Sequence, residues 1–218
     1  MKKYIIFDFD NTIVNSLDYW YQVMDIETFE HFGIPTIEDF RIQRRGMGNK
    51  EIAELFVRLA GEKESIDAVM NFWYSRMKIY YTKKVELIQG VRDWLKYLID
   101  KGYRLILSSA TNIDLLRYVI ANIGIEQYFD EVYTEQTLGV SKKYSEYYTR
   151  LLSNIGAKAD EVFVFEDSVA SITSAHSLGI DTCAILGKYN ENRMDSLEKM
   201  SKMLIRDYTD NNIYQLGL

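Results

Sequence analysis

The 218-residue chain contains one cysteine, one proline and two histidines. With Cys183 alone no intramolecular disulfide can form, and its setting in Thr182-Cys183-Ala184-Ile185-Leu186 is that of a buried strand. His31 and His176 lie far apart, without Cys or His at ligand spacing, which excludes a zinc cluster and a Ser-His-Asp triad. No apolar run approaches the length of a membrane span. Met1-Lys2-Lys3 opens directly onto a strand without the pattern of a secretory leader, so a cytoplasmic location without membrane partners is expected. Basic excess is missing too: the formal net charge is −6 and no Lys/Arg stripe offsets it, which argues against nucleic acid as a partner. Neither a Walker P-loop nor a dinucleotide fingerprint is present, because Gly46-x-Gly48 lacks a third glycine and follows no strand.

What the chain does have is 47% apolar and 27% charged residues, enough for one sizeable core with a modest insertion. Its organising stretch is Lys3-Tyr4-Ile5-Ile6-Phe7-Asp8-Phe9-Asp10-Asn11-Thr12. Tyr4 to Phe7 favour β structure and show no helical spacing, as expected of a central strand covered on both faces. Two carboxylates straight after such a strand need a cation, hydrogen-bond donors or a proton. Capping a turn is the bland role open to Asp8 and Asp10.

From Leu17 to Val85 the pattern is helical, with Gly33-Ile34-Pro35 as a stop and Thr36-x-x-Asp39 as a capping box for a short helix. Ile52, Leu55, Phe56, Leu59 and Ala60 give an amphipathic stripe, and another helix runs from Ser65 to Lys83. Beyond Gly90 helices and strands alternate, the signature of α/β layers on a parallel sheet. The predicted fold is a Rossmann-like three-layer α/β/α core, residues 1–15 and 86–218, with an inserted α-helical cap at 16–85. Three of its strands end in reactive groups: Asp8 with Asp10, Ser109, and Glu166-Asp167. In open α/β sheets the crevice beyond the carboxyl ends of the strands binds ligands, so the three sets can converge there. Oxygen donors of this kind suit Mg²⁺, which pairs with a phosphate ligand.

Asp8-Phe9-Asp10-Asn11-Thr12, Ser109 after its strand, Lys142 ahead of a helix and Glu166-Asp167-Ser168 resemble the four ordered motifs of the haloacid dehalogenase superfamily. The resemblance covers nearly the whole chain and is strongest to the phosphoglycolate phosphatase and β-phosphoglucomutase branch. It implies a Mg²⁺-dependent phosphatase acting on a small phosphorylated metabolite, with Asp8 as covalent nucleophile and Asp10 as general acid and base. Asp8, the Asp10 carbonyl and Asp167 are the implied metal ligands, with Glu166 behind them. Ser109 and Ala110 would receive phosphoryl oxygens beside Thr12, although Ser109 equally suits a helix cap. Lys142 would be a point charge on the phosphate and on Asp8. Here the chain departs from the family, since the usual prolines after the lysine are replaced by Lys143-Tyr144-Ser145. A phosphomutase is the alternative, disfavoured because Trp20 stands near the position of the expected cap histidine. A silent binding protein on the same fold is a third reading. Arg44 and Arg45, in a Gly-flanked loop of the cap, could grip the substrate's far end, with Trp20 walling the same space; a solvated loop and a cap-core tryptophan are the bland readings.

Overall fold

The computed structural model describes residues 2–218. The chain divides into two compact units, one formed by the stretch up to Asn15 with Glu86–Leu218, the other by Ser16–Val85. In the first, six parallel strands form one sheet: β1 (Tyr4–Asp8), β2 (Arg104–Ser109), β3 (Glu131–Thr134), β4 (Val162–Glu166), β5 (Asp181–Ile185) and β6 (Met203–Ile205). Their order, β3-β2-β1-β4-β5-β6, reverses between β1 and β4. That is the switch point at which a doubly wound sheet opens a crevice.

Alternation along the strands sends neighbouring side chains to opposite faces. Ile6, Ile106 and Val164 pack against Tyr147, Tyr148 and Leu151 of the helix Ser145–Ile155 and Ala175 of the helix Val169–Ser177. On the other face Phe7 and Phe165 stack with centroids 4.7 Å apart, and Trp94 and Tyr208 close over them. Covering on both faces is why β1 and β4 read as unbroken apolar runs. The sequence pattern missed two helices, Glu135–Leu138 and Met194–Met200, each too short to show a periodic stripe.

The second unit is helical. The expected helix from Leu17 contains a π segment at Val23–Glu27, between Leu17–Gln22 and Thr28–His31. Thr28 holds this bulge by donating both its backbone N–H and its hydroxyl to the Val23 carbonyl, and its oxygen accepts the Trp73 indole N–H at 2.7 Å. The short helix starts at Phe40 with Asp39 at its N-cap, so the Thr36 capping box does not form. Phe29, Phe40 and Phe56 meet edge to face beneath the helices Asn49–Leu59 and Ile66–Lys83.

Two residues expected at the substrate are committed to this unit's own core. The Arg44 guanidinium is 7% exposed and forks onto Asp25 at 2.7 and 2.8 Å, while also covering the Tyr21 ring. Trp20 is buried and donates its indole N–H to Tyr81. Arg45 is the exposed arginine of the pair. Removing Arg44 takes away the forked partner of the Asp25 carboxylate and leaves the more distant Arg41, at 3.6 Å. Arg44→Ala should therefore cost about 2–3 kcal/mol of unfolding free energy, against about 0.5 kcal/mol or less for Arg45→Ala. Urea midpoints of the two variants measure this, and equal midpoints would contradict a structural role for Arg44.

Candidate active site

Asp8 is the last residue of β1, in register with Ser108 of β2, and Glu166 ends the neighbouring β4. Their carboxylates and that of Asp167 bring oxygens within 4.8 Å of one another. Lys142 enters from the loop ahead of the helix Ser145–Ile155, its Nζ 2.6 Å from Asp8 Oδ1 and 2.6 Å from Glu166 Oε2. The same ammonium lies 3.4 Å from the Ser108 carbonyl. Glu166 Oε1 accepts the Ser168 backbone N–H, so both of its oxygens are engaged.

Burial, and then the charge of Glu166, push the Asp8 carboxyl up to about 8, and burial with the charges of Asp8 and Glu166 raises Asp167 as well. Burial also works against the Lys142 charge, but Asp8 and Glu166 outweigh it and hold its pKa well above the usual range. Three acids thus gather around one lysine, and a further cation would favour the ionised forms of Asp8 and Asp167. Hard carboxylate oxygens converging on one point fit a divalent cation such as Mg²⁺ or Ca²⁺.

Asp10 follows the strand, and Thr111 donates its hydroxyl to Asp10 Oδ2 at 2.8 Å. Ser109 is fully buried, and its Oγ accepts the Thr111 N–H at 3.0 Å, a turn-closing bond, while Asn112 is the N-cap of the following helix. Ala110, next along, is partly exposed. The backbone N–H groups of Thr12, Ile13 and Val14 turn back to the Phe9 carbonyl, and Thr12 is fully buried, as Ser109 is.

Several supporting residues had no sequence signal of their own. Asn11, at φ 60°, donates to Asp167 Oδ2 at 3.1 Å. Asn190 donates to the carbonyls of Asp167 and Ile185 at 2.7 and 2.8 Å, tying the loop after β4 to the end of β5. Tyr147 shares a hydrogen bond with Ser108, and Glu135 accepts the backbone N–H of Lys142. Only Asn11 was findable from sequence, by its place inside the D-x-D-x-T stretch.

Fold and site together define a doubly wound α/β protein with an acidic centre at the switch point, one that could hold a cation. The family model for haloacid dehalogenase-like hydrolases matches residues 5–185, and the chain belongs to that family. A phosphorylated carbohydrates phosphatase of Thermotoga maritima is 23% identical over 177 residues, covering 81% of this chain and 82% of that one. The pyrimidine 5'-nucleotidase PynA of Streptococcus pneumoniae is 23% identical, over 98% of this chain and 97% of its own. The crystal structure of CbbY from Rhodobacter sphaeroides in complex with phosphate superposes with a TM-score of 0.81 at 18% identity, covering 100% of both chains. The family whose model matches is one of hydrolases. Among the described residues no helix is long and apolar enough to cross a membrane.

The raised carboxyls give a stability signature. Both folded carboxyls titrate above their unfolded range, so in chelator the folded state holds extra protons from about pH 4 upward, for Asp8 as far as about pH 8. Stability from this source is fully present below that window and is lost as pH rises through it. Added divalent cation should therefore raise Tm more at pH 8 than at pH 5, as read by thermal melts at both pH values. Asp167→Asn should flatten the slope measured in chelator, and an equal slope in this variant would show that the cluster is not its source.

Proposed function

We propose that this chain is a Mg²⁺-dependent phosphatase that hydrolyses a small phosphorylated metabolite through an aspartyl phosphate on Asp8. The observation that carries the reading is the buried Lys142 ammonium 2.6 Å from Asp8, with Asp10 two residues on and Asp167 in the same cluster. The relatives named as phosphatases and nucleotidases of small phosphate esters support the substrate class.

Asp8, Asp167 and the Asp10 carbonyl would hold the metal, which when bound neutralises charge on the carboxylate and on the phosphoryl oxygens. Glu166, spent on Lys142 and the Ser168 N–H, orients rather than ligates. An Asp8 oxygen forms a bond to phosphorus as the bond from phosphorus to the leaving oxygen breaks. Asp10 delivers its proton to that oxygen, its carboxyl steadied by Thr111. Water then attacks phosphorus, Asp10 recovers a proton from it, and the Asp8 carboxylate is regenerated with release of phosphate. Acid and base work of this kind contributes about 10² to 10⁴ in rate. Lys142 keeps one Asp8 oxygen fixed and offers positive charge to the transferring group. Ser109 and Ala110 receive phosphoryl oxygens once the turn at Thr111 opens to a ligand. The helical unit is the proposed cap, and Arg45 is the exposed arginine of its loop.

Turnover of an aryl phosphate should vanish in excess chelator and return with Mg²⁺; undiminished turnover would refute the metal. Asp8→Asn should abolish turnover without shifting the fold, and Asp10→Asn should reduce it by about 10² or more. A panel of phosphorylated metabolites, assayed for released phosphate, tests the substrate class: isomerised sugar phosphate would instead mark a mutase, and no product a binding protein.

A further inference from the structure

The loop that presents Lys142 contains no proline, because the chain's one proline is Pro35. No ring therefore fixes its backbone. Yet the lysine must be held where it bridges Asp8 and Glu166 at 2.6 Å each. One restraint is the turn in which the Tyr144 N–H donates to the Ser141 carbonyl at 3.0 Å, and the restraint on Lys142 itself is a side chain. Glu135 opens the short helix Glu135–Leu138 directly after β3, where Thr134 and Thr137 cap each other and lock the turn. One oxygen of Glu135, Oε1, accepts the Ser141 hydroxyl at 2.6 Å and the Lys142 backbone N–H at 2.8 Å. Downstream, Ser174 donates to the Lys143 carbonyl at 2.6 Å, and upstream Arg150 donates to the Leu138 carbonyl at 2.6 Å. Glu135 is thus the one of the three clamps that bonds to Lys142 itself, and a carboxylate acceptor forms the stronger kind of hydrogen bond.

We propose that Glu135 is a positioning residue for Lys142, its carboxylate clamping Ser141 and the Lys142 N–H so that the ammonium stays on Asp8. The inference rests on the role given above to Lys142. Loss of the clamp frees the loop backbone, and the lysine then reaches Asp8 in only part of the population.

The test is a double-mutant cycle on the full chain with Mg²⁺, reading kcat and KM for an aryl phosphate, affinity for inorganic phosphate, and Tm. Glu135→Ala should lower kcat at least tenfold, and Glu135→Gln, whose amide oxygen still accepts, should restore most of it. In a Lys142→Ala background Glu135→Ala should cost no more than twofold further, because residues acting through one group do not add. Phosphate affinity gives the same cycle where turnover is too low to read. Should Glu135→Ala fail to fold, Ser141→Ala removes one of the two donors and should give a several-fold loss that likewise disappears without Lys142. Losses that multiply, or an unchanged kcat in Glu135→Ala, overturn the proposal while leaving Lys142 in its role. Full turnover and phosphate affinity in Lys142→Ala remove that role and this proposal with it.

Discussion

The site depends on one buried ammonium facing three carboxylates. Lys142 is 4% exposed, Asp8 6% and Glu166 1%, and charges this far from water persist only when they answer one another. The lysine answers two of them directly and leaves the centre short of positive charge. That shortage suits the centre to a cation. The sheet supplies the geometry: β1 and β4 are neighbours at the switch point, so Asp8 and Glu166 end side by side. Stacked Phe7 and Phe165 fix the two strands just beneath the acids.

The parts of the fold legible in sequence were those with a period. Apolar runs marked β1, β2, β4 and β5, and stripes at helical spacing marked the longer helices, because two-sided burial and one-sided burial leave different patterns. The acids at the strand ends were visible because a charge next to a buried run is rare. Lys142 was singled out through the family resemblance, as the lysine ahead of a helix. The partners that hold these groups were not legible. Thr111 meets Asp10, Asn190 meets Asp167 and Glu135 meets Lys142 through single hydrogen bonds between unrelated positions, which impose no period and no composition.

Arg44 was read from its flanking glycines and Thr12 from the acids before it. How both side chains are held was decided by local backbone departures that amphipathic patterns do not register. The π segment brings Asp25 round to the Arg44 fork, and the tight turn onto the Phe9 carbonyl closes over Thr12 while holding Asn11 at φ 60°. Polar side chains beside an active site are therefore divided between those that face the ligand and those consumed in keeping the backbone there. Sequence alone does not make that division.

The insertion is arranged so that the catalytic sheet need not share its core. The chain leaves the first unit after Asn15 and returns at Glu86, and there the Asn15 N–H donates to the Glu86 carbonyl while the Ile88 N–H donates to that of Ile13, each at 2.9 Å. Exit and entry are thus stitched within the α/β unit, a few residues beyond Asp8. The helical unit closes its own core around Trp73, Phe29 and Phe56 and satisfies its buried indole groups internally, through Thr28 and Tyr81. Because each unit buries its own apolar surface, substitutions that reshape the helical unit leave the distances among Asp8, Lys142 and Glu166 to the sheet.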